Sequence, residues 1–256
     1  MVRYFFWLFI GIILINSGCS KQADPLNFVN IDDQYELQLH QTLSPNGGIP
    51  SLQINTIRKQ ECSNAYISHF STISDNKIQI FLNDILTEGD CISGNEIITE
   101  EINLDSPNSA IPIEIILQEV VKNKGTLFTD KTEFELILGE FDGLKISKTH
   151  IKRIRPNMIW GSYASSNEAI ITQISQYLKS LDLKITYVKG DYAHFYINQD
   201  ESAIIYNSEI ENQITFLIAT DEMFENIKSN IQQLKILDPS LVFQATNYDG
   251  SALYIH

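Results

Sequence analysis

The chain has 256 residues, 43% hydrophobic and 20% charged, a globular composition with enough length for one large core or two ordinary ones. Against 32 acidic residues stand 18 basic ones, a formal charge of −14. That balance excludes a protein that tracks nucleic-acid phosphates and one that grips anionic lipid with a basic patch, since both need basic surfaces.

Arg3 precedes an unbroken apolar run from Tyr4 to Ile15, which ends at Asn16, Ser17, Gly18 and Cys19. About a dozen apolar residues are too few to cross a bilayer, which takes roughly 17 to 25. A basic start, a short apolar segment and small residues before a cut are the grammar of an export signal, so residues 1–18 are expected to be removed. Gly18-Cys19 at the end of this run resembles the lipobox of bacterial lipoproteins, with Asn16 where that pattern usually has an aliphatic residue. The resemblance implies a mature chain that begins at lipidated Cys19, is held at the membrane by acyl chains and is spaced from it by a polar tether over residues 19–33. Two or more such chains anchor stably where one holds only reversibly. An ordinary cleaved signal with an incidental cysteine, or an uncleaved anchor, are the other readings of the same residues.

Three cysteines are present. With Cys19 lipidated, Cys62 and Cys91 remain as a pair in an oxidising compartment, and a disulfide is the simple reading, two free thiols the alternative. No CxxC or HExxH spacing suggests a metal, and no cofactor motif occurs.

Residues 34–158 read as short strands. Tyr35, Leu37 and Leu39 alternate with polar neighbours, as do Ile78, Ile80 and Leu82, and Leu52, Ile54 and Ile57 nearly do. Ile111–Val121 and Glu133–Leu138 flank turn signals at Lys122–Gly125 and Thr129–Lys131. Such spacing predicts a β-sandwich-like domain. Lys145–Arg155 is the only basic concentration, read either as a contact for an acidic or phosphate-bearing partner or as a solvated strand offset by nearby acids.

The pattern changes near Pro156–Gly161. Ser165 and Glu168 form a capping-box spacing ahead of Ile170, Ile174, Tyr177, Leu178 and Leu181 at helical intervals. A second helix is predicted from Thr220-Asp221 to the stop at Asp238-Pro239. Between them lie four strand candidates, Leu183–Val188, Tyr192–Ile197, Ala203–Tyr206 and Ile214–Ala219, and a hairpin is expected around Asp249-Gly250. The expected fold class is therefore α+β: an N-terminal β-sandwich-like domain over 34–158, then a C-terminal α+β layer sandwich over 159–256 with two amphipathic helices on an antiparallel sheet.

Tyr192, His194 and Tyr196 alternate with Ala193, Phe195 and Ile197, which predicts an aromatic and polar strand face. Such a face suits ligand binding, or packing against the β domain. No GxSxG, Walker or GxGxxG motif occurs, the five histidines show no metal-pair spacing, and adjacent acids such as Glu100-Glu101 diverge on a strand. The expectation is a membrane-anchored envelope lipoprotein, on the periplasmic side or at the cell surface, that acts by binding or assembly and is not an enzyme. Its partners would be the membrane and an envelope protein or a glycan. The competing readings are a ligand-binding module for glycan or peptide and an atypical hydrolase.

Overall fold

The computed structural model describes residues 34–256 except 46–47, 75–76, 106–108, 140, 207 and 209. The expected signal segment 1–18, the expected lipidation at Cys19 and the expected tether to residue 33 fall outside the described residues.

Alternation of buried and open side chains makes β1 (Tyr35–Thr42), β2 (Ile49–Thr56) and β5 (Lys77–Thr87) strands with one apolar face. Around them run β3 (Gln60–Cys62), β4 (Ala65–Ser74), β6 (Ser93–Glu96), β7 (Thr99–Asn103), β8 (Ala110–Leu117), β9 (Val121–Thr129), β10 (Glu133–Leu138), β11 (Leu144–Lys148) and β12 (His150–Lys152). A four-stranded sheet, β11-β1-β2-β7, shares one core with a six-stranded sheet, β12-β10-β9-β8-β5-β4. Tyr35, Leu37, Leu39, Leu52 and Ile54 of the first meet Ile78, Ile80, Leu82, Ile113 and Phe134 of the second, all at most 1% exposed. Most neighbours are antiparallel, but β1 runs parallel to β11 and β5 parallel to β8.

The remaining elements are β13 (Met158–Ala164), α1 (Glu168–Leu181), β14 (Gly190–Asp191), β15 (Phe195–Ile197), β16 (Ala203–Ile205), β17 (Ile214–Ala219), α2 (Phe224–Leu237), β18 (Val242–Asn247) and β19 (Ala252–Ile255). An antiparallel sheet ordered β17-β13-β18-β19 carries both helices on one face, where Ile170, Ile174, Ile227 and Ile231 bury against Ile159, Phe243 and Leu253. Its other face presents Met158 and Trp160 to a separate three-stranded sheet, β14-β15-β16. Among the described residues no helix is long and apolar enough to cross a membrane.

The α+β expectation does not hold. Strand makes up 52% of the described residues and helix 13%, in two helices only, so the chain is mostly β with several sheets. The predicted C-terminal layer sandwich fails for a specific reason. Of the four strands expected between the helices, Leu183–Val188 forms none, and those at 195–197 and 203–205 turn away into their own sheet. Only β17 joins the helix-bearing sheet, beside β13, whose first residue the sequence reading left at the end of the β domain.

Local chemistry explains smaller differences. Ile111–Val121 is broken by a three-residue reversal, Gln118–Val120, in which Gln118 and Glu119 take φ of 46° and 60°, so the expected turn at Lys122–Gly125 is strand β9. Helix α1 is capped by Asn167, whose Oδ1 accepts from Ala169 N at 3.0 Å. The Ser165 hydroxyl is turned to Asp238 instead. Helix α2 starts at Phe224, three residues after the predicted Thr220-Asp221, with no side-chain cap.

Candidate functional site

Cys62 and Cys91 are joined, with Cα atoms 5.2 Å apart, inside the range a disulfide spans. The bond closes a 29-residue separation and ties β3 to the approach of β6, a two-stranded flap outside the two large sheets. In the chain-entropy model such a loop contributes about 3–4 kcal/mol.

The expected Tyr192, His194 and Tyr196 face is not one face. Tyr192 N donates to Phe195 O at 2.8 Å, closing a two-residue turn at Ala193 and His194 between β14 and β15. Ala193 takes φ 69°, a left-handed conformation that costs roughly 1–2 kcal/mol for a residue with a Cβ. Asp191 Oδ1 holds it by accepting from Ala193 N at 2.7 Å, and the Ala193 methyl enters the core of the large sheets. The turn breaks the period of two. Tyr192 goes into the core, 4% exposed, stacked on Phe195 at 4.9 Å and donating through its hydroxyl to Val188 O. Tyr196 is half-buried on β15, and His194 stands at the tip of the turn.

From there His194 reaches β1. Its Nε2 donates to Gln41 O at 2.7 Å, its ring meets the His40 ring edge-on at 4.8 Å, and Trp160 lies 5.8 Å away. Burial, the largest influence, pulls the His194 pKa down to about 4, so the ring is neutral at pH 7. His40 Nδ1 donates to Glu101 Oε1 at 3.2 Å, and the Thr42 and Ser51 hydroxyls donate to the same oxygen at 2.7 and 2.5 Å. These bonds, the His40 one first, hold the Glu101 carboxyl at about 2 against the cost of burial. A serine, a histidine and a glutamate thus meet, but not as a hydrolytic triad: the serine donates to the carboxylate, not to the imidazole that would have to accept its proton.

Beside this network is a cleft of about 200 Å³. Its floor is the helix-free face of the second sheet, where Trp160 pairs across from Thr246 and Gln244 across from Tyr254. His40, His194 and Tyr206 form the wall. Tyr206 donates to Asp191 Oδ2 at 3.1 Å, and Lys148 Nζ lies 2.9 Å from the same oxygen, so the nearby charges are paired with each other. The Trp160 indole N–H and the Gln244, Thr246 and Tyr254 side chains have no hydrogen-bond partner among the described residues. Among those residues no three His, Cys, Asp or Glu side chains are grouped to hold a metal.

Of the predicted ligand residues only His194 lines this cleft; Tyr192 and Tyr196 do not. The sequence reading missed Trp160, Gln244, Thr246 and Tyr254, although their alternation with buried Ile159, Phe243, Ala245 and Leu253 is a legible two-faced strand signal. The basic stretch 145–155 is largely occupied internally. Lys145 pairs with Glu36, Lys148 with Asp191, and His150 and Lys152 with Glu133, while Arg153 donates to the carbonyls of Asp130 and Gly48. Comparison with protein-family models, curated proteins and solved structures finds no match to this chain.

Proposed function

We propose that this chain is an exported, lipid-anchored protein of a bacterial envelope that acts by non-covalent binding, with the cleft beside His194 as its ligand site. The cleft carries the reading. Its polar groups without a hydrogen-bond partner among the described residues sit on a sheet face, a rigid support for orienting a ligand, and the nearby Ser51 hydroxyl donates to a carboxylate that, held at about 2, is too weak a base to take its proton. The disulfide supports the location, because such bonds persist in oxidising compartments and this one leaves Cys19 as the remaining cysteine.

The location is tested by the intact mass of the native protein recovered from membranes. The expected species begins at Cys19 and carries acyl chains, and Cys19→Ser leaves an unprocessed precursor. A mature chain that starts elsewhere and fractionates with soluble protein would remove the anchor.

A second reading, a structural component of an envelope assembly, is favoured by β4. This ten-residue strand forms one edge of the six-stranded sheet, and Tyr66, Phe70 and Ile73 on it are 39, 48 and 42% exposed. Open edges of this kind accept strands from other chains.

A further inference from the structure

The reading of the cleft as a ligand site leaves open what chemistry fits it, and four observations narrow the choice. The first is size. At about 200 Å³ the cleft is below the roughly 300–1,000 Å³ of sites for drug-sized ligands, so it takes something on the scale of one ring.

The second is charge. Glu101 is engaged by His40, Thr42 and Ser51, and Asp191 by Lys148, Tyr206 and the Ala193 amide. A charged ligand would meet no unengaged counter-ion among the described residues of the cleft, so its desolvation would be met by neutral hydrogen bonds alone.

The third is the pattern of donors and acceptors. Gln244 offers an amide that both donates and accepts, Thr246 a hydroxyl that does the same, and Trp160 a single donor, all on one sheet face and without a hydrogen-bond partner among the described residues. Ligand hydroxyls, which also donate and accept, can satisfy such a mixed set in several orientations. A peptide added as a strand would need backbone groups, whereas the cleft floor offers the side chains of Trp160, Gln244 and Thr246 on the inner strands β13 and β18. The fourth is Tyr254, 57% exposed beside the cleft, its ring stacked with His256. An aromatic face of this kind packs against apolar C–H bonds while its hydroxyl stays available.

We propose that the cleft holds one neutral sugar residue, with Gln244, Thr246 and Trp160 meeting its hydroxyls and Tyr254 covering its C–H face. This rests on the cleft being the ligand site and is independent of the lipid anchor.

The chain has two tryptophans, Trp7 in the leader and Trp160 in the cleft, so a full-length Trp7→Phe protein reports on the cleft alone. In a detergent without a sugar headgroup, its emission is titrated with the methyl glycosides of glucose, galactose, mannose and N-acetylglucosamine, then with glucuronate and with diglycine amide. At least one neutral glycoside is expected to give a saturable change, and Gln244→Ala or Thr246→Val to weaken it tenfold or more with the circular dichroism unchanged. If only glucuronate or diglycine amide saturates the signal, the sugar assignment fails and the cleft remains a ligand site. If every probe is silent, both fail.

Discussion

Gly161 sits where two strands approach more closely than a side chain allows. A Cβ there would lie 2.0 Å from Gln244 O and 2.8 Å from Ala245 Cα, both backbone atoms of β18 that cannot swing aside. Gly161→Ala is therefore expected to destabilise the protein by about 1–3 kcal/mol, as overpacking does, and urea unfolding measures it. An unchanged midpoint would mean that the strands part without strain. Opposed by Ala245 in the register of β13 and β18, the glycine lies between Trp160 and Ser162. Legibility at this scale depends on how local the determinant is. The cysteine pair could be read from number and compartment alone, and the structure joins it. The meeting of Gln41 with His194, 153 positions apart, leaves no trace in spacing, because a loop-closing contact is decided by tertiary packing and not by period. The left-handed Ala193 and the reversal at Gln118–Val120 were equally hidden, since none carries the Asn or Gly that usually marks positive φ.

The strands at sheet edges differ in how they are guarded. Edge strand β12 carries His150 and Lys152, β11 Lys145 and Lys148, and β7 Glu100 and Glu101, charges of the kind that discourage pairing with another chain. Strand β4 has no Lys, Arg, Asp, Glu or Pro in ten residues, and from Phe70 to Ser74 every side chain is exposed. In a chain of charge −14, an uncharged edge is where a second copy meets least repulsion, and antiparallel pairing of β4 with its copy would extend the six-stranded sheet. The assembly reading therefore predicts reversible self-association in sedimentation velocity, lost in Thr72→Lys, which adds a charge at an exposed position. A wild-type chain that stays monomeric at about 100 µM, or a variant that associates equally, would turn the reading aside. Period-two signals located β1, β2 and β5 because each buries one face, whereas β4 buries only Ile67 fully, is open on both sides from Phe70 on and gives no such contrast. The two helices were legible for the same reason as β1: each buries a single stripe.

At the scale of the whole molecule, the helical stripes misled the class assignment, because strong signals for two helices say nothing of how many strands surround them or which sheet each joins. Besides the apolar contact of Ala193 and the Lys148–Asp191 pair, a small polar contact joins the large sheets to the C-terminal part: Gln41, fully buried, accepts from His194 Nε2 through its carbonyl and from Ile154 N through Oε1 at 3.2 Å. This contact makes the fold sensitive to acid. The groups that bear on His194 are His40, Glu101 and Lys148, and burial outweighs them in keeping it neutral, with a folded pKa of about 4 against 6.5 unfolded. A depressed histidine pKa leaves stability intact above 6.5; as pH falls from there toward 4 the unfolded chain takes up the proton first, and stability drops by on the order of 3 kcal/mol. Glu101, with a folded pKa of about 2, acts lower: its contribution is present above 4.5 and fades between 4.5 and 2. Urea unfolding of the wild type across pH 7.5 to 4.5 is expected to show the first loss. His194→Gln, whose amide can still donate to Gln41 O but does not titrate, should flatten the profile in that window while keeping the fall below pH 4.5. Parallel profiles for the two proteins would place the acid sensitivity elsewhere and leave His194 as a neutral spacer between the sheets.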